Sequence, residues 1–109
     1  VRPTAEAAGT TAAWHLYPVR FDLERLRASR DELVAALRAE NIGGNVQYAP
    51  VTALTLCREL GHRAEDTPRA LAAAQSLVSL PMFHGMSDAD ADDAIAALEK
   101  VVAHYRRSR

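Results

Sequence analysis

Residues 12–21 read AAWHLYPVRF, a run rich in aromatic and β-branched side chains that predicts a β-strand. Side chains alternate across a strand, so the even-numbered residues from Trp14 share one face and the odd-numbered residues up to Phe21 share the other. Both faces are largely apolar, and we therefore expect both to be covered. Pro18 cannot donate a hydrogen bond to a neighbouring strand, which favours a sheet edge or an irregular stretch at that point.

The segment that begins at Ser29 predicts a helix. Ser29 and Glu32 have the spacing of a capping box, in which the serine accepts from a backbone N–H and the glutamate reaches back to the start of the helix. Leu33, Val34 and Leu37 follow at helical spacing, so we expect them to form the buried stripe of this helix.

Further turns, strands and helices alternate along the rest of the chain. Asn41-Ile-Gly-Gly44 ends the first helix, since glycine tolerates the positive φ of a tight turn. The predicted strands are Val46–Tyr48 and Leu77–Leu80, each closed by a proline. The predicted helices are Ala53–Leu60, one starting at Thr67-Pro68 and one capped by Ser87. The buried face predicted for the last helix is Ala91, Ile95, Leu98, Val102 and Tyr105.

The order of these elements predicts an α/β (α+β) unit, in which a small sheet carries helices packed over it. At 109 residues the chain is long enough for one domain. We interpret residues 1–11, which are small and polar, as a linker or disordered N-terminus. Residues 12–109 are expected to form the folded domain.

Charge and composition exclude some classes of function. The net charge of −1 favours neither nucleic acid nor an anionic membrane surface. No apolar run approaches the roughly 20 residues that a membrane span needs. The lone Cys57 fits a reducing compartment, so we expect a cytoplasmic protein. The excess of arginine over lysine, together with abundant alanine, suggests a GC-rich bacterial genome.

The acidic run at 88–99 has some features of a calcium loop. Asp88, Asp90, Asp92 and Glu99 match positions 1, 3, 5 and 12 of an EF-hand, but Asp93 stands where the loop needs glycine. An acidic first turn behind a serine cap explains the same residues through the helix dipole. The histidines (15, 62, 84 and 104) show no metal-ligand spacing. We therefore expect no metal site, and we interpret Cys57 as a packing thiol.

Five stretches of the chain, in this order and spacing, resemble the C-terminal domain of the DegT family of PLP-dependent nucleotide-sugar aminotransferases. They are His15–Phe21, Arg30–Leu37, Asn41–Gly43 leading into Asn45–Val51, Leu77–Phe83 and Met86–Asp90. The resemblance implies the small domain of a fold-type-I aminotransferase, with a short and mainly antiparallel sheet. It also implies that the parent enzyme moves an amino group from an amino acid onto a keto-sugar, commonly one linked to a nucleotide.

The resemblance further implies that the cofactor is held outside this chain. Such enzymes hold PLP as a Schiff base on a lysine of the preceding large domain, and they work as homodimers with shared active sites. Lys100 is the single lysine here and lies near the end of the last predicted helix. We therefore expect this chain to lack catalytic residues, to bind no PLP covalently and to need its missing large domain.

The chain departs from the family in the segment after the Gly-rich turn. Gln47 and Thr52 stand where the family usually has histidines, so any role for a protonatable imidazole there is in doubt. Asn45, Gln47 and Tyr48 are the residues expected to face the substrate or cofactor cleft. The alternative is a buried strand whose polar groups are satisfied internally.

The sequence alone leaves two functional hypotheses open. The first is a domain of a larger sugar aminotransferase; the second is a free-standing regulatory or assembly module derived from the same fold. The loss of both expected histidines favours the second. Either kind of domain is expected to expose apolar surface, chiefly from the strand Trp14–Phe21, and to self-associate.

Overall fold

In the computed structural model, which describes residues 1–108, three short antiparallel strands form one sheet. The strands are β1 (Arg2–Pro3), β2 (Tyr17–Arg20) and β3 (Leu77–Leu80), in the order β1-β2-β3. Val19 lies opposite Val78, at the centre of the β2–β3 register. The expected α+β class with a small, mainly antiparallel sheet is confirmed.

Four α-helices and three short 3-10 turns accompany the sheet in residues 1–108. The helices are α1 (Arg30–Ala39), α2 (Thr55–Glu59), α3 (Pro68–Ser76) and α4 (Asp88–Tyr105). Both predicted serine caps are confirmed: Ser29 forms a capping box with Glu32, and Ser87 forms one with Asp90. Each box satisfies backbone N–H groups that a helix start leaves without partners.

One face of the sheet and the helices α1 and α4 enclose the core. Leu33, Val34 and Leu37 of α1 are buried as predicted, and they meet Val19 and Val78 from the sheet. The main partners of these residues from the rest of the chain are Phe21, Leu26, Ala97 and Val101. The core therefore gathers residues from both halves of the sequence.

The predicted strand 12–21 is much shorter in the structure. The strand covers only Tyr17–Arg20, because β3 ends at Leu80, which lies opposite Tyr17, and β1 has only two residues. A strand cannot extend beyond its partners. Trp14 is 40% exposed, so the expectation that both faces are covered is wrong at that end.

The strand predicted at Val46–Tyr48 is absent. Pairing to β3 stops at a single bridge between Asn45 and Ser79, and Tyr48 has a φ of 34°, which is not an extended conformation. β1, by contrast, lies within the segment 1–11, whose polar composition carried no strand signal.

The buried face of α4 is partly as predicted, since Leu98, Val102 and Tyr105 pack half-buried against the core. Ala94, Ala97 and Val101 are the buried residues, whereas Ile95 is 52% exposed. Small side chains at this contact allow α1 to pack closely against α4. Alanine is only weakly hydrophobic, so the sequence pattern did not show which face of α4 is buried.

Candidate functional site

The chain leaves α1 through a turn that brings Asn45 onto the sheet. Asn41 adopts a φ of 61°, and Gly44 is buried so closely against β3 that a Cβ there would lie 3.2 Å from Val78 Cγ1. Glycine permits this approach of the backbone. The Asn45 N–H then donates to the Ser79 carbonyl at 3.0 Å, and the Ser79 N–H donates back at 2.8 Å.

A half-open cavity of about 810 Å³ lies beside this bridge. Asn45, Asn41 and His15 supply polar groups to its lining, and Phe83 and neighbouring residues supply apolar ones. Ser79 also borders the cavity, and its hydroxyl is buried with no hydrogen-bond partner among residues 1–108. A few polar groups on an apolar background are typical of ligand pockets, which keeps Asn45 a candidate site residue.

Tyr48 lies away from this cavity, on a smaller groove of about 240 Å³. Its ring is 80% exposed, and the groove is completed by Pro50 and by Leu71 of α3. The Arg30 side chain borders it and is held by a 2.7 Å hydrogen bond to the Ala74 carbonyl.

The three predicted cleft residues are therefore not brought to one place. Asn45 borders the large cavity, Tyr48 borders the smaller groove, and Gln47 lies half-buried between them in the chain. The reason is the single-residue bridge at Asn45, after which the backbone turns away from the sheet.

Thr52 makes a contact inside the chain. Its hydroxyl lies 2.8 Å from the Thr67 hydroxyl, and both side chains are part-buried. Thr67 is the N-cap residue of α3 and forms no side-chain cap hydrogen bond. The Thr52–Thr67 bond therefore links the segment after Tyr48 to the start of α3.

Lys100 forms an ion pair with Glu40, at 2.7 Å between Nζ and Oε2. Its side chain is 68% exposed, at the rim of the large cavity. A lysine that forms Schiff bases is typically desolvated or lies beside another cation, and Lys100 has the opposite surroundings.

The acidic run lies on the first turns of α4. The Ser87 hydroxyl and N–H both donate to Asp90 Oδ2, at 2.6 and 2.8 Å, and these bonds lower the pKa of Asp90 below its usual value. Hydrogen bonds to the charged form of a carboxylate stabilise that form. Within residues 1–108, no group of three or more His, Cys, Asp or Glu side chains is placed to hold a metal ion.

Cys57 is half-buried, as expected of a packing thiol. Within the same described part of the chain, no helix combines the length and the apolar character needed to cross a membrane.

Two features of the site were missed by sequence reasoning. One is the large cavity, to which His15, Phe83 and Asp93 contribute from distant parts of the chain. The other is the exposure of apolar residues between 46 and 60, where the sequence pointed to Trp14–Phe21 instead. The scarcity of charged residues from Val46 to Glu59 could have indicated this exposed apolar segment from the sequence.

Residues 1–99 match the model of the DegT/DnrJ/EryC1/StrS aminotransferase family. Among curated proteins, the spore coat polysaccharide biosynthesis protein SpsC of Bacillus subtilis is 36% identical over 92 residues, which are 83% of this chain and 24% of that protein. An uncharacterised protein of Methanocaldococcus jannaschii is 33% identical over 95 residues, covering 86% of this chain and 25% of the relative.

Solved structures agree with these matches. The PLP form of the "Putative sugar aminotransferase" of Streptococcus pneumoniae superposes with a TM-score of 0.82 at 28% identity, over 94% of this chain and 26% of that one. The aminotransferase TlmJ of Streptoalloteichus hindustanus gives 0.77 at 26% identity, with the same coverage. The chain thus spans about a quarter of the length of the relatives that it matches.

Proposed function

Because this chain belongs to the DegT/DnrJ/EryC1/StrS aminotransferase family, we propose that it is the C-terminal small domain of a PLP-dependent sugar aminotransferase. In this proposal, residues 12–109 are the domain, and residues 1–11, which contain the short edge strand β1, are the linker that leads into it. The parent enzyme transfers an amino group from an amino acid to a keto-sugar, one linked to a nucleotide. The observation that carries the proposal is the agreement in fold over 94% of this chain with a quarter of a sugar aminotransferase.

The residues of this chain do not fit the role of covalent anchor for PLP. The exposed Lys100 ammonium is paired with Glu40, and the chain has no other lysine. PLP supplies an electron sink for amino transfer when it is bound. We assign its anchoring to the large domain of the parent enzyme, so the isolated chain is expected to be inactive.

We propose that Asn45, Gln47 and Tyr48 face the cleft of the complete enzyme. Their support is their position: Asn45 borders the large cavity and Tyr48 is almost fully exposed. Gln47 offers an amide that donates and accepts hydrogen bonds without titrating. A hydrogen-bonding role with no proton transfer at residue 47 is therefore part of the proposal.

The partners of this domain follow from the same proposal. They are its large PLP-binding domain, a second copy of the whole enzyme in a homodimer, and the sugar substrate. We propose a cytoplasmic, bacterial enzyme, with which the lone Cys57 and the arginine-rich, alanine-rich composition agree.

The test is an amino-transfer assay on the native gene product and on this 109-residue chain. Both are incubated with PLP, with glutamate or glutamine as the amino donor, and with a panel of free and nucleotide-linked keto-sugars. We expect transfer by the native product alone. Transfer by the isolated chain, or none by a native product that has bound PLP, would contradict the proposal.

One observation favours a second candidate, a free-standing regulatory or assembly module. Gln47 and Thr52 replace both histidines expected in the family, and the Thr52 hydroxyl is engaged with Thr67 inside the chain. Such replacements are compatible with a protein that has lost catalysis. A native product of this chain's length that binds no PLP would support this candidate.

A further inference from the structure

Exposed apolar side chains of this domain concentrate in one segment, which we call the 46–60 face. Its members are 45–80% exposed in this structure: Val46, Tyr48, Val51, Leu54, Leu56 and Leu60. Single exposed apolar residues are ordinary on protein surfaces, whereas clusters of them mark interaction sites, and these six lie close together in the chain.

The first residues of this segment, 46–49, also have no backbone hydrogen-bond partners among the described residues. The N–H and carbonyl groups of residues 46–49 make no hydrogen bond within the described chain. Tyr48 adopts a φ of 34°, a region that non-glycine residues rarely occupy without surroundings that impose it. The sequence predicts a strand at 46–48, yet among residues 1–108 the sheet supplies a pairing partner for Asn45 alone.

The segment is also poorly attached to the core of the domain. Helix α2 packs mainly against the 3-10 turn Val51–Ala53, and that turn packs against the next one, Ala64–Asp66. None of the residues 46–60 is buried in the core. The segment thus packs mainly against neighbouring turns and leaves the apolar side chains of the 46–60 face exposed.

The residue types of the 46–60 face indicate which class of partner it can bind. Arg58 and Glu59 are the only charged residues between 46 and 60, and their charges cancel. Protein–protein interfaces are depleted in charge at their centre and enriched in tyrosine and other apolar groups, whereas nucleic-acid surfaces are strongly basic. A protein surface is therefore the occupant that fits.

We infer that the 46–60 face docks against the large domain of the same enzyme, an inference that rests on the proposed function. The 95 residues matched to one relative are 25% of its length, so about 280 residues of such a parent lie outside this domain. That missing polypeptide is tethered to the domain, so it covers the face at a high effective concentration, which a second copy does not have.

The experiment is hydroxyl-radical footprinting of this 109-residue chain and of the native gene product, both read out by mass spectrometry. We expect Leu54, Leu56 and Leu60 to be labelled in the isolated chain and protected several-fold in the native product, because exposed side chains become the core of an interface. Ile95 is the internal control, since it is 52% exposed on α4 and lies outside the face.

Matched variants give a second readout that does not depend on labelling. Leu56→Glu and Leu60→Glu are expected to leave the thermal midpoint of the isolated chain unchanged, because both side chains are exposed in it. In the native product they are expected to speed proteolysis between the domains several-fold, whereas Ile95→Glu is expected to change neither protein.

The outcomes separate this inference from the proposed function. Labelling of the face in a native product that is large and transfers amino groups would overturn the inference alone. A native product of 11.9 kDa would overturn both. Protection already present in the isolated chain, lost on dilution, would assign the face to a second copy and overturn the inference.

Discussion

Lys100 Nζ lies 2.7 Å from Glu40 Oε2, and this ion pair joins α4 to the C-terminal end of α1. The only lysine of the chain is thus engaged in a surface contact between two helices. Exposed pairs of this kind contribute about 0–1 kcal/mol to stability. This surface contact agrees with the proposal that PLP is anchored outside this chain.

Replacing Lys100 tests that assignment. We expect Lys100→Ala to lower the free energy of unfolding by less than about 1 kcal/mol, because the Lys100 side chain is largely exposed. We expect wild type and variant to give the same visible spectrum after incubation with PLP and gel filtration. A visible absorption band that the wild type retains and Lys100→Ala loses would show that this lysine binds the cofactor.

Gly44 and Gly43 form a matched pair for the backbone approach that positions Asn45. A Cβ at Gly44 would lie 3.2 Å from Val78 Cγ1, whereas a Cβ at Gly43 would meet nothing within 4 Å. We expect Gly44→Ala to destabilise the domain by about 1–3 kcal/mol through overpacking, and Gly43→Ala to change it by less than about 1 kcal/mol. Urea unfolding of both variants measures this, and equal effects would show that the turn is not packed as described.

The sequence predicted those parts of the fold that depend on residues close together in the chain. Ser29 with Glu32, and the stripe that includes Leu37, depend on residues within a few positions of each other, and the structure confirms them. The end of the strand at Tyr17 depends instead on β3, about 60 residues away, which stops at Leu80. The length of a strand is limited by the strand that pairs with it, so a prediction from composition alone made this strand too long.

The hydrogen bond between Thr52 and Thr67 is expected to stabilise the chain ahead of α3. Both hydroxyls are part-buried and 2.8 Å apart, so each threonine-to-valine change leaves the other hydroxyl without this partner. A double-mutant cycle of Thr52→Val and Thr67→Val should give a coupling of about 0.5–1.5 kcal/mol. Thr55→Val paired with Thr67→Val is the control. Additive effects in the first cycle would contradict the bond.

The two capping boxes make stability depend on pH in the acid range. Hydrogen bonds from the Ser29 N–H and hydroxyl lower the pKa of Glu32 below its ordinary 4.5, and the Ser87 hydroxyl and N–H lower that of Asp90 below its ordinary 3.8. A depressed folded pKa contributes stability above the ordinary value, and the contribution is lost as pH falls through the folded value.

We therefore expect the urea midpoint to fall as pH drops from about 5 towards about 2, with a shallower fall in Glu32→Gln and Asp90→Asn. The exposed Glu24, which lies outside both caps, supplies the control Glu24→Gln. A cap variant whose pH profile matches that of the wild type would show that its carboxylate does not carry this dependence.

The sequence predicted less of the candidate site than of the fold. The family resemblance proposed Asn45, Gln47 and Tyr48 together as cleft residues, but only Asn45 borders the large cavity, because the strand expected at 46–48 is absent. The backbone leaves the sheet after one bridge and turns at Tyr48, and residue types alone do not encode that change of direction.

The proposal that this chain is one domain of a larger aminotransferase is tested most directly by the intact mass of the native gene product. We expect a mass several times the 11.9 kDa of this chain, as for relatives of which it covers about a quarter. A native product near 11.9 kDa would contradict the claim and would favour a free-standing module.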